Sequence, residues 1–367
     1  MPEFRRKFNY TRLSLARRRR GFTKSDLAEQ VGVDLRSVTA YESDEYPPRR
    51  STLRDIADVL DFPVEFFHGD DLDEPKPDTA SFRSLSKMTA AQRDIALTQG
   101  AIALHFNKWL DQQFDLPKAS LPDVSRERSP EAAAESLRRL WGIGELPVRN
   151  MIHLLEAKGI RIFSLAIDAR EVDAFSIWKQ ETPFIFLNSN KSSEHSRFDA
   201  AHELGHLLLH RHAAPQGREA EREADAFASA FLMPRASVIA NAPRFPSLSD
   251  LVKLKVAWKV SVAALNYRLH TVAMQSDWQY RMMCIQITKK GYRTKEPNEM
   301  PRETSQLLPA VFAALHNEGT SRSDVAKALR ISRSELEQLM FGLTMASIEG
   351  GRKKSSRSEK PNLTIIK

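Results

Sequence analysis

The sequence predicts a multidomain fold with three parts: a small all-α domain at the N-terminus, an α+β core with a small sheet, and a mainly helical C-terminal module. The chain has 367 residues, whereas a single domain typically has about 100 to 200. Short helical patterns separated by glycines fill the N-terminal region. In the middle of the chain, three short strand-like segments precede two strong helical patterns, which is typical of an α+β core.

Changes in composition divide the chain further. Residues 69–77 are acidic and contain two prolines, as expected of a linker. Residues 351–367 contain six Lys or Arg and one Glu, as expected of a solvated basic tail. We therefore expect an N-terminal domain at 1–68, a linker at 69–77, a core with a helical lead-in at 78–275, a C-terminal module at 276–345 and a flexible basic tail at 346–367.

The composition also excludes some classes of protein. Cys284 is the only cysteine, so the chain forms no intramolecular disulfide. No apolar run is long enough for a membrane-spanning helix. Residues 1–10 carry charges but no apolar signal-peptide core. We expect a cytoplasmic protein with no membrane partner.

The N-terminal elements follow from capping residues and glycines. A first helix covers Thr11 to Arg19, and Gly21 breaks it. Thr23 and Asp26 form a capping-box pattern for a second helix, Lys24 to Val31, which ends at Gly32. Asp34 can cap a third helix from Leu35 to Tyr41. Two short helices joined by a tight turn are typical of a helix-turn-helix.

This region resembles the Cro/cI-like, or XRE, helix-turn-helix family through Leu27-Ala-Glu-Gln-Val-Gly-Val33 and Ser37-Val-Thr-Ala-Tyr-Glu42. The resemblance implies that the third helix enters the major groove of double-stranded DNA. There Arg36 and Thr39 would bond base edges, and Leu35 and Ala40 would contact a thymine methyl group. The candidates for phosphate contacts are Arg17 to Arg20, Lys24, Arg49 and Arg50. The alternative is a helical bundle that binds a protein.

The core begins with helical patterns and continues with strands. Residues 78–113 have a helical pattern, residues 116–130 form a proline-containing loop, and residues 131–140 and 148–158 are again helical. The predicted strands are 160–163, 174–178 and 184–187, with 282–288 as a further candidate. Residues 184–187 either pair with an extended peptide substrate at a sheet edge or form a buried strand.

The run Arg197-Phe-Asp-Ala-Ala-His-Glu-Leu-Gly-His-Leu-Leu-Leu-His210 has the spacing of a hydrolytic metal site. On a helix, His202 and His206 share one face and can bind one metal ion, while Glu203 lies next to the water that the metal activates. Ser196 can cap the start of this helix. The alternative is a helix whose His and Glu are merely solvated.

A zinc site of this kind needs a third protein ligand. In the helical segment 218–234, Glu221 and Asp225 share a face, so Glu221 can bind the metal while Asp225 accepts a hydrogen bond from a ligand histidine. Spacing alone leaves Glu219 and Glu223 open, as well as an acidic face paired with Arg218 and Arg222. His212 ranks below Glu221 because Leu209 stands where the longer histidine signature has glycine. His210 lies too far along the helix to join the same metal.

These two segments resemble the ImmA/IrrE family of bacterial zinc metallopeptidases, which have a zincin-like fold. The likeness extends to Pro183-Phe-Ile-Phe-Leu-Asn188 and to Trp258–His270, so it covers most of residues 130–272. It implies zinc, with manganese as an alternative, bound by His202, His206 and Glu221, with Glu203 as general base. It also implies a repressor protein as the substrate. Tyr267 and His270 are candidates for stabilising the oxyanion, although packing explains both.

The C-terminal segment 320–339 repeats a helix-turn-helix rhythm, but its turn lacks glycine and its second helix starts acidic. Packing on the core or oligomerisation, including a homodimer, therefore explains it better than a second DNA reader. Two functions remain open. The chain is either a nucleoid-associated protease that cleaves a repressor or itself, or an XRE-type transcription regulator whose metallopeptidase-like domain senses a ligand or partner with little proteolysis.

Overall fold

The computed structural model describes residues 7–77, 81–82, 88–124, 126–165, 174–211, 217–344 and 364–365. Over these ranges it has the predicted three-part layout: short N-terminal helices, a core of helices on a small mixed sheet, and a helical C-terminal module. None of the helices in the described ranges is both long enough and apolar enough to span a membrane.

The N-terminal domain consists of short helices around one apolar centre: α1 (Tyr10–Arg19), α2 (Lys24–Val31), α3 (Leu35–Glu42), α4 (Arg50–Leu60) and a 3₁₀ helix (Val64–His68). The Thr23 hydroxyl accepts from the Asp26 amide, and the Asp26 carboxylate accepts from the Thr23 amide, so the predicted capping box is present. Gly32 ends α2 at φ 72°, in the left-handed region that glycine adopts at little cost. These features produce the tight α2–α3 turn.

The strands are β1 (Ser81–Phe82), β2 (Phe114–Asp115), β3 (Arg161–Leu165), β4 (Ala174–Lys179), β5 (Thr182–Asn188) and β6 (Thr364–Ile365). The main sheet has the order β1-β4-β5-β3, with β3 parallel to β5 and the other pairs antiparallel. Because β5 is internal, residues 184–187 form a buried strand, and the alternative that they pair with a peptide at an edge is wrong. A separate pair joins β2 and β6.

The helices of the core are α5 (Ala90–Gln113), α6 (Pro130–Leu140), α7 (Met151–Ala157), α8 (Ser193–Leu209), α9 (Arg218–Leu232), α10 (Arg235–Asn241), α11 (Leu248–Trp258) and α12 (Val262–Thr271). Helix α8 packs between the sheet and α9, and the indole of Trp178 on β4 donates to the Leu207 carbonyl at 3.0 Å. Ser192 caps α8, one turn before Ser196, so the predicted cap residue is wrong. Most residues of α8 are buried.

The C-terminal module contains α13 (Asp277–Lys289), α14 (Leu307–Asn317), α15 (Arg322–Leu329) and α16 (Arg333–Gln338). Residues 282–288, a candidate strand, are helical. A Ser276–Gln279 capping box starts α13, and the spacing of Met283 and Ile287 buries both on one helical face. Of the expected tail at 346–367, only β6 lies within the described residues.

The C-terminal module packs against the N-terminal domain through buried charges. Glu335 on α16 is fully buried and accepts from Arg19 Nε at 3.0 Å and from Arg20 Nη1 at 2.5 Å. Arg330 Nη1 donates to the His68 carbonyl at 3.2 Å. Because Glu335 faces α1, this face of α16 is not available to DNA. The expected packing was on the core, and there the Leu339 carbonyl accepts from the Ser164 amide at 2.8 Å.

Candidate metal centre and DNA-binding surface

The structure brings His202, His206 and Glu221 together. Helix α8 presents the two imidazoles on one face, and the first turn of α9 places the carboxylate opposite them. The two Nε2 atoms are 3.0 Å apart, and each lies 3.4 Å from one Glu221 oxygen. All three ligand atoms lie within 4.8 Å of one another. Both histidines are buried, and the Glu221 side chain is 22% exposed.

Gly205 explains why α8 and α9 approach so closely. A Cβ atom built on Gly205 would lie 3.1 Å from Phe227 Cδ1 and 3.3 Å from Ala224 Cα. A hydrogen at this position therefore lets the backbone of α9 approach the turn of α8 that carries both histidines. The separation between the imidazoles and Glu221 depends on this contact.

The orientation of His202 is set by Asp225. Nδ1 of His202 lies 2.9 Å from Asp225 Oδ1, and because a carboxylate accepts, Nδ1 carries the hydrogen. This tautomer leaves a lone pair on Nε2, the atom that faces His206 and Glu221.

A second relay orients His206. Its Nδ1 is 3.1 Å from Nδ1 of His210, and His210 Nε2 is 2.8 Å from Glu223 Oε2. His210 therefore donates from Nε2 to Glu223 and accepts at Nδ1 from His206. Nε2 of His206 consequently also carries a lone pair. The sequence excluded His210 as a ligand but gave no sign that it would support one.

This donor set fits a zinc ion. Two nitrogen lone pairs and a carboxylate are typical zinc ligands, and tetrahedral bonds of about 2.0–2.1 Å place ligand atoms about 3.4 Å apart. Burial lowers the pKa of His206 to about 4, so its imidazole is neutral. Burial opposes ionisation of Glu221, but the two imidazoles that face its carboxylate outweigh burial and lower its pKa to about 2. Two Nε2 lone pairs beside an ionised carboxylate are ready to bind a divalent cation.

Glu203 lies next to the cluster on the side of the sheet. It is fully buried, and its Oε2 accepts from Ser81 Oγ at 2.6 Å and from Ser176 Oγ at 2.7 Å. Its Oε1 is buried without a hydrogen-bond partner among the described residues. Burial raises the pKa of Glu203 to about 7, against the opposing effects of His202 and the two serines. Sequence reasoning missed both serines, since nothing local connects β1 and β4 to α8.

The other candidates lie in different environments. Glu219 is exposed and pairs with Arg222, while Glu223 supports His210. His212 lies outside the described residues. His270 bonds Asp277 at 2.8 Å and stacks on Tyr280, against which Tyr267 packs edge-on. These contacts agree with the packing explanation for Tyr267 and His270, and their oxyanion role stays a prediction.

On the N-terminal domain, α3 presents part of its predicted DNA-reading face. Leu35 is 50% exposed, Arg36 is exposed and Thr39 is half-buried. The Thr39 hydroxyl donates to the Leu35 carbonyl at 3.0 Å. Ala40 is only 3% exposed, so the expected contact with a thymine methyl group is wrong for this residue. Its place on the helix turns its methyl group into the domain core.

The basic run on α1 is engaged within the protein and is not a free phosphate-binding surface. Arg17 makes a bidentate pair with Glu42, Arg18 pairs with Glu74, and Arg19 and Arg20 bond Glu335. Lys24 is partly exposed, with Glu42 3.6 Å away. Of the predicted phosphate contacts, Arg49 and Arg50 remain exposed, as does the predicted base contact Arg36.

Two models of known protein families match parts of this chain. Residues 13–67 match the model of a helix-turn-helix domain, and residues 155–270 match that of the IrrE N-terminal-like domain of the M78 peptidases. No curated protein matches the chain significantly. The second range contains β3 to β5, α8 and α9, and therefore every member of the His–Glu cluster. The chain thus combines a region that matches a helix-turn-helix domain with a region that matches the IrrE N-terminal-like domain of the M78 peptidases.

Proposed function

We propose that the chain is a DNA-binding, zinc-dependent endopeptidase that hydrolyses a peptide bond in a repressor protein and so controls transcription. The cluster of His202, His206 and Glu221 with Glu203 beside it is the observation that carries the proposal. A regulator that only senses a ligand has no need for a buried carboxylate adjacent to the metal ligands.

The roles of the residues follow from their protonation. His202, His206 and Glu221 hold the ion, with Asp225 and His210 fixing the two imidazoles. When bound, zinc polarises a carbonyl group and lowers the pKa of water. Glu203, whose pKa is about 7, can accept a proton from water near neutral pH and return it to the leaving amine. The same pair of proton transfers serves any peptide bond, so the partner protein is defined elsewhere on the molecule.

Cleavage tests the proposal directly. The wild type and Glu203→Gln are incubated with zinc or manganese and with candidate repressors encoded beside the gene, and products are identified by mass spectrometry. We expect cleavage by the wild type alone, since glutamine cannot take up a proton. If both proteins bind operator DNA equally and neither cuts a partner, the sensor-type regulator is the better description.

Metal content tests the ligand assignment separately. Glu221→Ala should lose stoichiometric zinc after dialysis, as should His202→Ala. Glu219→Ala is the matched control, because it removes an exposed carboxylate from the same turn of α9. Retention of one zinc ion per chain in Glu221→Ala contradicts its role as a ligand.

The N-terminal domain gives the proposed protease a location on DNA. Arg36 at the exposed start of α3 is the side chain best placed to reach base edges, with Arg49 and Arg50 as phosphate contacts. A repressor bound nearby on the same DNA would then be a substrate at high local concentration.

A further inference from the structure

Two described parts of the segment between the two matched ranges lie beside β4, and one of them reaches Glu203. Asp73 bonds Lys179 at one end of β4, with an Asp73 Oδ1 to Lys179 Nζ distance of 2.9 Å. Further along, β1 pairs antiparallel with β4, with Ser81 opposite Ser176 and Phe82 opposite Phe175. The chain therefore supplies its own strand for the edge of β4.

Ser81 is built into the site by hydrogen-bonding contacts with Ser176 and Glu203. Its hydroxyl donates to Glu203 Oε2 at 2.6 Å, accepts from the Ser176 amide at 2.9 Å and lies 2.8 Å from Ser176 Oγ. The Ser81 residue is 1% exposed and Glu203 is not exposed. In this arrangement one oxygen of the general base is occupied by residues of the chain itself.

A protease that acts on an extended peptide needs the same two features that β1 uses. A free strand edge supplies backbone hydrogen bonds to the peptide, and the general base must reach a water molecule beside the scissile bond. Among the described residues β1 pairs with two residues of β4, Ser176 and Phe175, whereas β4 spans the six residues Ala174–Lys179. A longer peptide strand can therefore pair along more of β4.

We propose that the edge of β4 beside Glu203 is the peptide-binding surface, and that Ser81 and Phe82 occupy it as an intramolecular stand-in for substrate. This inference rests on the proposed peptidase function. A bound peptide displaces β1, carries a small side chain where Ser81 fits between Ser176 and Glu203, and releases Glu203 from the Ser81 hydroxyl.

A reversible cross-link tests the proposal within one protein. Ser81→Cys and Ser176→Cys are combined with Cys284→Ser, because the two hydroxyl oxygens are 2.8 Å apart and a disulfide needs closely facing side chains. The probe is a fluorescein-labelled peptide, Thr-Ala-Ser-Phe-Arg-Ser, which copies residues 79–84. Binding is measured by anisotropy in EDTA, so that no cleavage is involved, and circular dichroism checks the fold in both states.

We expect the reduced protein to bind the peptide at least about tenfold more tightly than the oxidised protein, because the disulfide removes the binding-competent population. The variant Ser176→Cys with Cys284→Ser cannot form the bridge and should bind equally with and without reductant. Phe82→Pro is a second route, since proline weakens strand pairing, and it should bind more tightly than wild type. Equal binding by the oxidised and reduced double-cysteine protein, or binding by neither, overturns the proposal.

The outcome is separable from the proposed function. If the reduced protein binds the peptide but no form cleaves any protein, the peptidase fails and the binding surface stands. If the wild type cleaves a repressor while the oxidised double-cysteine protein cleaves it as fast as its reduced form, the peptidase stands and the stand-in role of β1 is wrong.

Discussion

His206 and His210 face each other through their Nδ1 atoms at a distance of 3.1 Å. A histidine thus takes the place of the carboxylate or carbonyl that usually orients a metal-binding imidazole, and Glu223 in turn fixes that histidine. His202 has a different partner, the Asp225 carboxylate. The two candidate ligands are therefore supported differently: a carboxylate contacts His202 directly, whereas His206 contacts a carboxylate only through His210.

Replacing His210 tests this relay. His210→Phe leaves the His206 Nδ1 hydrogen without its acceptor, so we expect zinc affinity to fall by about 10- to 100-fold, as is typical when such a partner is lost. Competition with a chromogenic chelator measures the affinity, and Glu219→Gln on the exposed face of α9 serves as control. Unchanged affinity in His210→Phe would mean that packing alone orients His206.

The spacing of α8 and α9 predicts a second loss of metal binding. Gly205→Val places methyl groups against Phe227 and Ala224. A Cβ atom alone would already lie 3.1 Å from Phe227 Cδ1 and 3.3 Å from Ala224 Cα. We expect α9 to move away from α8 and to carry Glu221 with it. The zinc affinity should therefore fall, while the far-ultraviolet circular dichroism spectrum, which reports helix content, stays close to that of the wild type. Gly217→Ala is not a suitable control because of its positive φ. Ala226→Val, elsewhere on α9 and half-buried, is the matched addition of volume.

The pKa of Glu203 predicts how the stability of the metal-free protein depends on pH. An unperturbed glutamate titrates near 4.5 and Glu203 near 7, so the folded protein binds this proton more tightly than the unfolded chain. The stabilisation is complete below pH 4.5 and is lost as pH rises through about 7. Relative to Glu203→Gln, the wild type in EDTA should lose up to roughly 3 kcal/mol of unfolding free energy between pH 5 and pH 8. Denaturant titrations at both pH values provide the measurement, and parallel pH profiles contradict the assignment.

The buried Glu335 carboxylate on α16 predicts a large effect on the free energy of unfolding, although it lies far from the metal cluster. Glu335→Ala leaves Arg19 buried without its ion pair and removes the main buried partner of Arg20, and breaking such a pair typically costs about 3–5 kcal/mol. Glu337→Ala on the same helix removes only an exposed pair with Arg333, for which about 0–1 kcal/mol is expected. Thermal unfolding of both variants measures the difference. Equal midpoints would show that the contact with α1 contributes little.

The exposure of Arg36 at the start of α3 predicts that its replacement weakens DNA binding. Arg36→Ala should weaken binding to a duplex selected from random sequence by about 1–3 kcal/mol and relax the preference at one base position. Arg128→Ala removes an exposed charge outside the domain and should leave the affinity nearly unchanged. If Arg36→Ala weakens binding to all duplexes equally, Arg36 contacts phosphate and not a base.

Local sequence patterns predicted much of the fold and part of the candidate site. The spacing of His202 with His206, and of Glu221 with Asp225, defines helix faces, so their proximity follows once two helices pack. Capping residues and Gly32 likewise predicted the α2–α3 turn. The XRE and IrrE resemblances are confirmed by the family matches, while the metal and catalytic roles stay predictions.

The missed features depend on contacts between distant segments. Ser81 and Ser176 reach Glu203 across 122 and 27 residues, and no periodicity encodes such contacts. The arginines of α1 looked like a phosphate-binding surface because charge alone says nothing about their partners. Residues 282–288 contain β-branched and apolar residues that favour a strand locally, but the cap at Ser276 and the burial of Met283 and Ile287 favour a helix.

The ion pair between Arg19 and Glu335 joins residues 316 positions apart, and this has a consequence for synthesis of the chain. A ribosome adding about 5 to 20 residues per second needs roughly 15 to 60 s to make the intervening segment. During that time the helix-turn-helix domain can fold, but Arg19 has not yet met its acidic partner. The nascent domain is therefore more basic along α1 than the finished protein, and completing the chain neutralises that surface last.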